Sequence, residues 1–449
     1  MNRSSPNFVF ILADDLGYSD LGCYGARHAT PHLDQMAAQG LRFTDGYANS
    51  ALCSPSRFAL ITGRYQYRLR GGAEEPLPPS ARGKPALGLP PAHPTLPSLL
   101  RGAGYATALA GKWHLGYPPH FGPLKSGYSE FFGALGGGID YFSHRDGAGV
   151  HDLYDGEAPA AHAGYVTDLI TDRAADFIAR QQGSGAPFLL SVHYTAPHWP
   201  WETRADEAES GRIGNELFHF DGGSLETYRT MVHHMDEGIG RLFGALAATG
   251  ADENTLVVFT SDNGGERYSD TWPFTGRKMD LLEGGIRVPL VARWPAYIPA
   301  GSVTGQVAAT MDWMPTMLAC AGVAPDPQHP PDGIDLRPVL ESSATVVPRD
   351  MYWRMKHRDQ RALRAGRWKY LSMDGHDYLF NLADDPQERA NFARRDAARL
   401  ARMRADYEVW EMTMPGVPED AYVGTGTTPA LLARASTRTY AIPSVHHLV

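Results

Sequence analysis

Short apolar runs alternate with amphipathic segments along the first three quarters of the chain. Each run has the length of a strand buried on both faces of a parallel sheet, and the runs cover residues 7–13, 105–110, 188–193, 255–260 and 288–294. Helices are predicted where apolar residues recur at helical spacing or where start signals occur, at residues 30–40, 165–181, 225–248 and 306–320. This order predicts an α/β fold with a mostly parallel central sheet and helices on both faces.

The pattern changes after Leu340, where the apolar runs become shorter. Residues 351–353, 362–370 and 378–382 are typical of short antiparallel strands, and residues 389–412 predict a helix. We therefore predict two units, a larger α/β domain at residues 1–345 and a small C-terminal α+β subdomain at 346–449, with a small antiparallel sheet, a helix and an extended tail from Pro415. Residues 71–97, dense in Pro and Gly, predict an irregular surface loop.

Polar side chains follow four of the predicted strands at the point where each strand ends. They are Asp14-Asp15, Lys112 with His114, His198, and Asp262-Asn263. Because ligands of open parallel sheets bind beyond the carboxyl ends of the strands, all four clusters are expected at one edge. Three carboxylates and a carboxamide suit Ca²⁺ or Mg²⁺ rather than zinc. The alternative is that these aspartates cap neighbouring helices, but crowding three carboxylates without a cation would disfavour their ionised forms.

A cysteine heads the segment Cys53-Ser54-Pro55-Ser56-Arg57. Pro55 suits the first turn of a helix and Ser54 is a plausible N-cap, so Cys53 is expected at a helix N-terminus, where free N–H groups favour an anion. Arg57 is expected to reach the same anion and to bind an oxyanion in bidentate fashion. The alternative is an inert buried thiol, which is the common state of a lone cysteine.

Composition excludes several classes of protein. The chain has 449 residues, 43% of them hydrophobic, which is enough for a sizeable core and excludes general disorder. Its net charge of −9 argues against a nucleic-acid partner, and no apolar run approaches the length of a membrane helix. Three cysteines do not suggest a disulfide framework. The polar start of the chain lacks a signal-peptide pattern, so we expect a cytoplasmic location, or a periplasmic or secreted one if a signal was removed.

Several motifs together resemble the type I, formylglycine-dependent sulfatases, an arylsulfatase-like family of the alkaline phosphatase superfamily. The resemblance begins with the specific signature Cys53-Ser54-Pro55-Ser56-Arg57 followed by Leu60, Thr62, Gly63 and Arg64. It continues, in the order of the family, through Asp14-Asp15, Gly111-Lys112-Trp113-His114-Leu115-Gly116, Pro197-His198, Ser261-Asp262-Asn263-Gly264, Gly276-Arg277-Lys278 and Glu283-Gly284-Gly285-Ile286-Arg287-Val288-Pro289. It spans about residues 7–340.

The resemblance implies a metal-assisted hydrolysis of sulfate monoesters. Cys53 would be oxidised by a formylglycine-generating maturation enzyme, and the hydrated aldehyde would attack sulfur. The implied metal ligands, for Ca²⁺ with Mg²⁺ as the alternative, are Asp14, Asp15, Cys53, Asp262 and Asn263. The implied catalytic residues are Cys53, Arg57, Lys112, His114, His198 and Lys278, among which Lys112, His198 and Lys278 would also bind the substrate.

Within those roles, the resemblance implies that Asp262 helps to activate the nucleophile and that His114 assists sulfate release. His198 and Lys278 would protonate the leaving oxygen. The implied substrate is a small-molecule or saccharide sulfate ester, without nucleic acid or membrane partners, and a homo-oligomer is compatible with this. Two alternatives stay open, a phosphonate monoester or phosphodiester hydrolase of the same superfamily and a non-catalytic relative.

Other conspicuous residues have two interpretations. His233 and His234 lie in a predicted helix and favour surface or packing positions over metal ligation. Residues 136–156, which include His144, His151, Asp140 and Asp152, either form the rim of a substrate site or an ordinary loop, and Gly136-Gly137-Gly138 lacks the spacing of a phosphate-binding loop. Trp199 and Trp201 either wall a subsite or pack in the interior.

Overall fold

A ten-stranded, mostly parallel sheet runs through the protein, and a four-stranded antiparallel sheet lies near its C-terminal end. The computed structural model describes residues 5–424. Within them the strands are β1 (Asn7–Ala13), β2 (Leu41–Phe43), β3 (Gly46–Tyr47), β4 (Ala106–Gly111), β5 (Glu130–Ala134), β6 (Leu153–Asp155), β7 (Ala158–Pro159), β8 (Phe188–His193), β9 (Thr255–Ser261), β10 (Leu290–Arg293), β11 (Ser302–Thr304), β12 (Ala308–Ala309), β13 (Asp350–Met355), β14 (Gln360–Ala365), β15 (Trp368–Met373) and β16 (His376–Asn381).

Helices cover both faces of the large sheet. In the described range they are α1 (Pro31–Ala38), α2 (Cys53–Thr62), α3 (Leu96–Gly102), α4 (Val166–Gln181), α5 (Glu207–Ile213), α6 (Leu225–Ala248), α7 (Glu283–Ile286), α8 (Trp313–Ala321), α9 (Arg337–Glu341) and α10 (Ala397–Glu411). The predicted fold class is confirmed by this arrangement. None of the helices within residues 5–424 is both long and apolar enough to cross a membrane.

The order of the strands places the ends of β1, β4, β8 and β9 side by side. The large sheet has the order β11-β2-β10-β9-β1-β8-β4-β5-β6-β7, and its central strands β9, β1, β8, β4 and β5 are all parallel. Ile11 in β1 pairs with Val192 in β8 and with Phe259 in β9. The carboxyl ends of the parallel strands therefore meet at one edge, as a parallel register requires.

The core divides into two layers because successive side chains of a strand point to opposite faces. Val9 and Ile11 of β1 belong to the layer packed under α1, α4 and α6, whereas Phe8, Phe10 and Leu12 belong to the layer packed under α2, α3 and α8. Both layers are fully buried along β1, which explains the continuous apolar run of its sequence.

One strand prediction and one loop prediction from the sequence are wrong. The predicted strand at 362–370 is two strands, β14 and β15, which are joined by a turn where Gly366 has a φ of 56°. Residues 71–97 are irregular as predicted but do not form a surface loop, because Leu77, Leu87 and Leu89 are buried in the core.

The C-terminal helix is shorter than the sequence predicts. It begins at Ala397, where the side chain of Asp396 accepts a hydrogen bond from the backbone of Arg399, rather than at residue 389. Most of the predicted tail after Pro415 lies outside the described residues, and the boundary at 345/346 stays a prediction.

The C-terminal sheet is joined to the larger α/β unit by a buried ion-pair cluster. The ammonium of Lys369 on β15 lies 2.9 Å from Glu283 of α7 and 2.8 Å from Glu388, and the three side chains are fully buried. A carboxylate oxygen of Glu388 also accepts a hydrogen bond of 2.6 Å from the backbone of Glu283. Burial would raise the pKa of Glu283, but the charges of Lys369 and Arg287 outweigh burial and lower it to about 2.

Lys369→Met is expected to lower the free energy of unfolding by about 3–5 kcal/mol, because it leaves two buried carboxylates without their shared cation. Urea denaturation of both proteins measures the difference. The control is Lys125→Met, which removes an exposed ion pair with Glu157 and is expected to cost less than about 1 kcal/mol. Equal stability of Lys369→Met and the parent chain would show that the cluster does not hold the two units together.

Candidate active site

Four chain segments bring the polar residues predicted from the sequence to one edge of the sheet. Asp14-Asp15 follow β1, Lys112 and His114 follow β4, His198 follows β8, and Asp262-Asn263 follow β9. Two of these residues have left-handed backbone conformations, Asp15 with φ 65° and His114 with φ 59°. Such conformations cost free energy in residues other than glycine and concentrate at functional sites.

Each carboxylate of the cluster is paired with a cationic side chain. The ammonium of Lys112 lies 2.5 Å from Asp14 and that of Lys278 lies 2.7 Å from Asp15. The guanidinium of Arg57 donates from Nε to Asp262 at 2.9 Å, and its NH2 nitrogen lies 2.8 Å from the same oxygen. Three anionic and three cationic side chains therefore balance in the site.

Burial and neighbouring charges give the two aspartates that follow β1 different pKa values. Burial, together with the charge of Asp262, raises the pKa of Asp14 to about 7. Burial would raise the pKa of Asp15 as well, but the charge of Lys278, together with hydrogen bonds from Lys278 and Asn263, outweighs burial and lowers that pKa to about 2. The repulsion between Asp14 and Asp262 is the kind that a bound cation relieves.

Two oxygen atoms of the cluster are buried without a hydrogen-bond partner among the described residues. They are Oδ1 of Asp14 and Oδ1 of Asn263. Nδ2 of Asn263 donates a hydrogen bond of 2.8 Å to Asp15, so Oδ1 of Asn263 points away from Asp15 Oδ1. Asp14, Asp15 and His198 also place possible ligand atoms within 4.8 Å of one another. Because buried acceptors normally have partners, and these are hard oxygen atoms, the donor set fits Ca²⁺ or Mg²⁺.

Cys53 is the first residue of α2 and lies in the same cluster. It is 2% exposed, and burial raises the pKa of its thiol even though Lys112 and Lys278 favour the thiolate. The predicted cap is wrong, because Leu52 is the N-cap without a side-chain bond and Ser54 lies inside the helix. The hydroxyl of Ser54 instead accepts a hydrogen bond of 2.7 Å from the backbone of Leu77. An unmodified Cys53 is thus a neutral thiol and a poor nucleophile.

The rings of His114 and His198 are fixed by backbone carbonyls. Nε2 of His114 donates to the carbonyl of Leu77 at 2.9 Å, since a carbonyl can only accept, and Nδ1 is then a buried acceptor without a partner in the described residues. Nδ1 of His198 donates to the carbonyl of Trp199 at 2.7 Å, and its Nε2 lies 3.6 Å from Asp15. Burial lowers the pKa of both imidazoles well below the usual value.

The remaining histidines singled out in the sequence have structural positions. His233 is exposed on α6, where it lies 3.4 Å from Glu237. His144 is buried and bonds the carbonyl of Gly164 at 3.0 Å, and His151 bonds the carbonyl of Ala160 at 2.9 Å. These contacts stabilise the loop between β5 and α4.

The two tryptophans that follow His198 differ. Trp201 is buried against Tyr268, with ring centroids 4.8 Å apart. Trp199 is half-buried and contacts both His198 and Phe218, at centroid distances of 3.9 and 4.5 Å. Trp199 therefore borders the site, whereas Trp201 belongs to the interior.

Gly137 and Gly138 belong to the stretch 136–156, for which the sequence left open a substrate rim or an ordinary loop, and both lie against histidines of the site. A Cβ built on Gly137 would lie 2.5 Å from the ring of His114, and one built on Gly138 would lie 3.3 Å from the ring of His198. The sequence analysis missed Glu266; one of its carboxylate oxygens is buried without a partner in the described chain, and the charge of Lys278 acts on it. Its position directly after the Asp262–Gly265 turn was the available signal.

Comparison with known proteins agrees with the fold and the motifs. The Sulfatase family model matches residues 6–323. N-acetylgalactosamine-6-sulfatase of Sus scrofa is 36% identical over 361 residues, which cover 75% of this chain and 66% of that protein. Arylsulfatase A of Homo sapiens is 35% identical over 403 residues, which cover 81% of this chain and 74% of that protein.

Solved structures show the same architecture. The crystal structure of Ps i-CgsB in complex with k-i-k-neocarrahexaose is 29% identical, with a TM-score of 0.81 over 97% of this chain and 100% of that chain. The phosphonate monoester hydrolase of Agrobacterium radiobacter shares the fold, with a TM-score of 0.64 at 22% identity.

The fold defines the class of the protein, an α/β protein built on a mostly parallel central sheet. The chain belongs to the sulfatase family, whose members hydrolyse sulfate esters. The chain spans 66% of the length of the N-acetylgalactosamine-6-sulfatase of Sus scrofa.

Proposed function

We propose that this protein hydrolyses sulfate monoesters, with a formylglycine derived from Cys53 by a maturation enzyme and a divalent cation in the site. The observation that carries the proposal is the position of Cys53, at the N-terminus of α2 and within a buried cluster of three carboxylates and three cations. A neutral buried thiol would be a poor nucleophile in this position. The hydrated aldehyde of a formylglycine at position 53 would instead supply an oxygen nucleophile.

Asp14, Asp15, Asp262 and Asn263, together with residue 53, would hold the metal, which is Ca²⁺ or alternatively Mg²⁺. When bound, the cation and the hydrated aldehyde supply Lewis acidity and an activated oxygen nucleophile. The two unpartnered oxygens of Asp14 and Asn263 support this ligand set.

The cationic side chains have different tasks. Lys112 and Arg57 are almost fully buried and are bound to Asp14 and Asp262, so they hold those carboxylates in place and contribute fixed positive charge. The side chain of Lys278 is 11% exposed, which makes it the cation of the three most open to a substrate. A divalent cation added to a balanced cluster would leave positive charge that binds and stabilises the anionic sulfate group.

Different residues would accept and donate protons in the site. Nδ1 of His114 has no hydrogen-bond partner among residues 5–424, so it is suited to take the proton that must leave when sulfate is released. His198 and Lys278 would donate to the leaving oxygen. Lys278 is held in its charged form, because the charge of Asp15 outweighs burial and raises the pKa of Lys278. Nδ1–H of His198 donates to the carbonyl of Trp199, so Nε2 carries a proton only when the ring is an imidazolium. In that form Nε2 would lie beside Asp15 and could donate to the leaving oxygen.

The names of the relatives support a saccharide sulfate ester as the substrate class. One relative is named for an N-acetylgalactosamine sulfate, and the similar crystal structure contains a neocarrahexaose. Rates on matched sulfate and phosphonate esters test the proposal directly, since a phosphonate monoester hydrolase would prefer the latter. The mass of the peptide that contains residue 53 determines whether the assayed sample carries formylglycine.

Exhaustive chelation is expected to inactivate the protein, and Ca²⁺ or Mg²⁺ is expected to restore its activity. Asp15→Asn should raise the metal concentration that is needed to restore activity, because it removes a charged metal ligand. Asp172→Asn changes only an exposed ion pair with Arg241 and should leave that concentration unchanged. Metal analysis of the active protein accompanies the assay. Stoichiometric zinc without an alkaline-earth ion would contradict the proposed ligands.

A further inference from the structure

The segment 134–141, which we name the glycine strip, runs along the site from His114 to His198. It begins at Ala134, the last residue of β5, and contains Gly136-Gly137-Gly138. None of these three glycines has a φ in the left-handed region. Backbone conformation therefore does not require glycine here, and the reason for three consecutive glycines must be sought in the space around them.

At its first end the strip lies against His114. The backbone N–H of Trp113 donates to Ala134 at 2.8 Å, and that of His114 donates to Leu135 at 3.1 Å. A Cβ on Gly137 would lie 2.5 Å from Cε1 and 2.7 Å from Nε2 of His114. The ring of His114 thus occupies the volume that any side chain at position 137 would need.

At its other end the strip lies against His198. A Cβ on Gly138 would lie 3.3 Å from Cε1 of His198 and 3.0 Å from the ring of Trp199. The hydroxyl of Tyr141 donates to the carbonyl of His198 at 2.9 Å. The distance from this Cβ to the His198 ring is longer than the 2.5 Å found at His114. The hydrogen bond from Tyr141 to the backbone of His198 adds a second contact at this end.

Two buried carboxylates fix the strip in place. Asp152 accepts a hydrogen bond of 2.7 Å from the backbone of Gly136 and is itself 3.3 Å from Arg82. Glu202 accepts from the backbone of Tyr141 at 3.2 Å. The strip is therefore also held at Gly136 and at Tyr141 by groups other than the two histidines that it contacts.

We infer that the glycine strip is a positioning element that sets the places of the His114 and His198 rings relative to the reacting ester. The inference rests on the proposed function, because the positions of these rings affect the rate only if the two histidines transfer protons in the reaction. The strip would act only through the two rings, so Gly137 and Gly138 are positioning residues. A displacement of about 1 Å in a catalytic group can cost about 10²-fold in rate.

Gly137→Ala and Gly138→Ala test the inference, with Gly147→Ala as the matched control. Gly147 lies in the following loop, has no left-handed φ, and a Cβ there would meet nothing closer than 3.9 Å. We expect Gly137→Ala to lower kcat about 10²-fold on every sulfate ester, with little change in KM. Gly138→Ala should cause a smaller loss, confined to esters with poor leaving groups. Gly147→Ala should retain the kcat of the parent chain.

The second readout is the NMR signals of the histidine rings in the metal-loaded protein, with residue 53 kept as cysteine. The His114 signals should shift in Gly137→Ala and the His198 signals in Gly138→Ala, and neither should shift in Gly147→Ala. If Gly137→Ala does not fold, Tyr141→Phe serves instead, since it removes only a hydroxyl and should shift His198. Unchanged ring signals in the folded variants would overturn the inference. Failure of the matured parent chain to hydrolyse any sulfate ester would refute the proposed function alone, because the ring signals still test the positioning.

Discussion

Replacing Cys53 with alanine is expected to abolish sulfate ester hydrolysis, with kcat falling by at least about 10⁴-fold. The substitution removes the atom from which the proposed nucleophile is made. It leaves the carboxylates and cations of the site untouched, because their ion pairs do not involve Sγ. Alanine also fits the buried first position of α2, so the fold should survive. Steady-state rates and thermal unfolding curves of the two proteins measure the activity and the fold separately.

The control for this prediction is Cys320→Ala. Cys320 is partly buried on α8, outside the site, and its loss should leave kcat unchanged. A sample in which residue 53 is still cysteine should be as inactive as Cys53→Ala, since burial raises the pKa of that thiol. Substantial turnover by a folded Cys53→Ala protein would rule out a nucleophile at position 53.

Most of the sheet could be predicted because its strands are buried on both faces. The strands at 7–13 and 188–193 and the helix at 225–248 have the predicted bounds, since continuous apolar runs and helical spacing are direct consequences of burial. The same logic predicted the meeting of Asp14, Lys112, His198 and Asp262, because parallel strands end at one edge. Placement of these residues follows from topology, and the roles assigned to them stay predictions.

What the sequence could not predict depends on contacts between distant segments. Ser54 has the residue type of a cap, yet its hydroxyl binds Leu77 of a segment that looked like a surface loop. Leu77 of that segment also accepts a hydrogen bond from His114 through its carbonyl, a contact that no local pattern contains. Gly137 likewise has no local signature, since only the neighbouring imidazole shows why a side chain is missing there.

His198→Ala is expected to slow alkyl and sugar sulfates far more than activated aryl sulfates. An alkoxide leaving group is strongly basic and needs a proton as it departs, whereas a nitrophenolate is stable without one. General acid catalysis is worth about 10²–10⁴-fold, so a loss of that size should fall on the poor leaving groups alone. His114→Ala should instead lower kcat by a similar factor for every ester, because release of sulfate does not depend on which alcohol has already left. The measurement is kcat/KM and kcat for both variants against the pKa of the leaving group.

Lys278 is the second proton donor that the resemblance implies, so it bears on this prediction. Lys278 shares Asp15 with His198, at 2.7 Å and 3.6 Å respectively, and it keeps its proton because Asp15 stabilises the ammonium. The loss in His198→Ala should therefore be partial for poor leaving groups, and Lys278→Met in the same background should remove the remainder. Arg241→Met, which breaks an exposed ion pair with Asp172, is the control for loss of a cation. An equal loss on all esters in His198→Ala would identify His198 as a residue that holds the sulfate group, and would leave Lys278 as the proton donor.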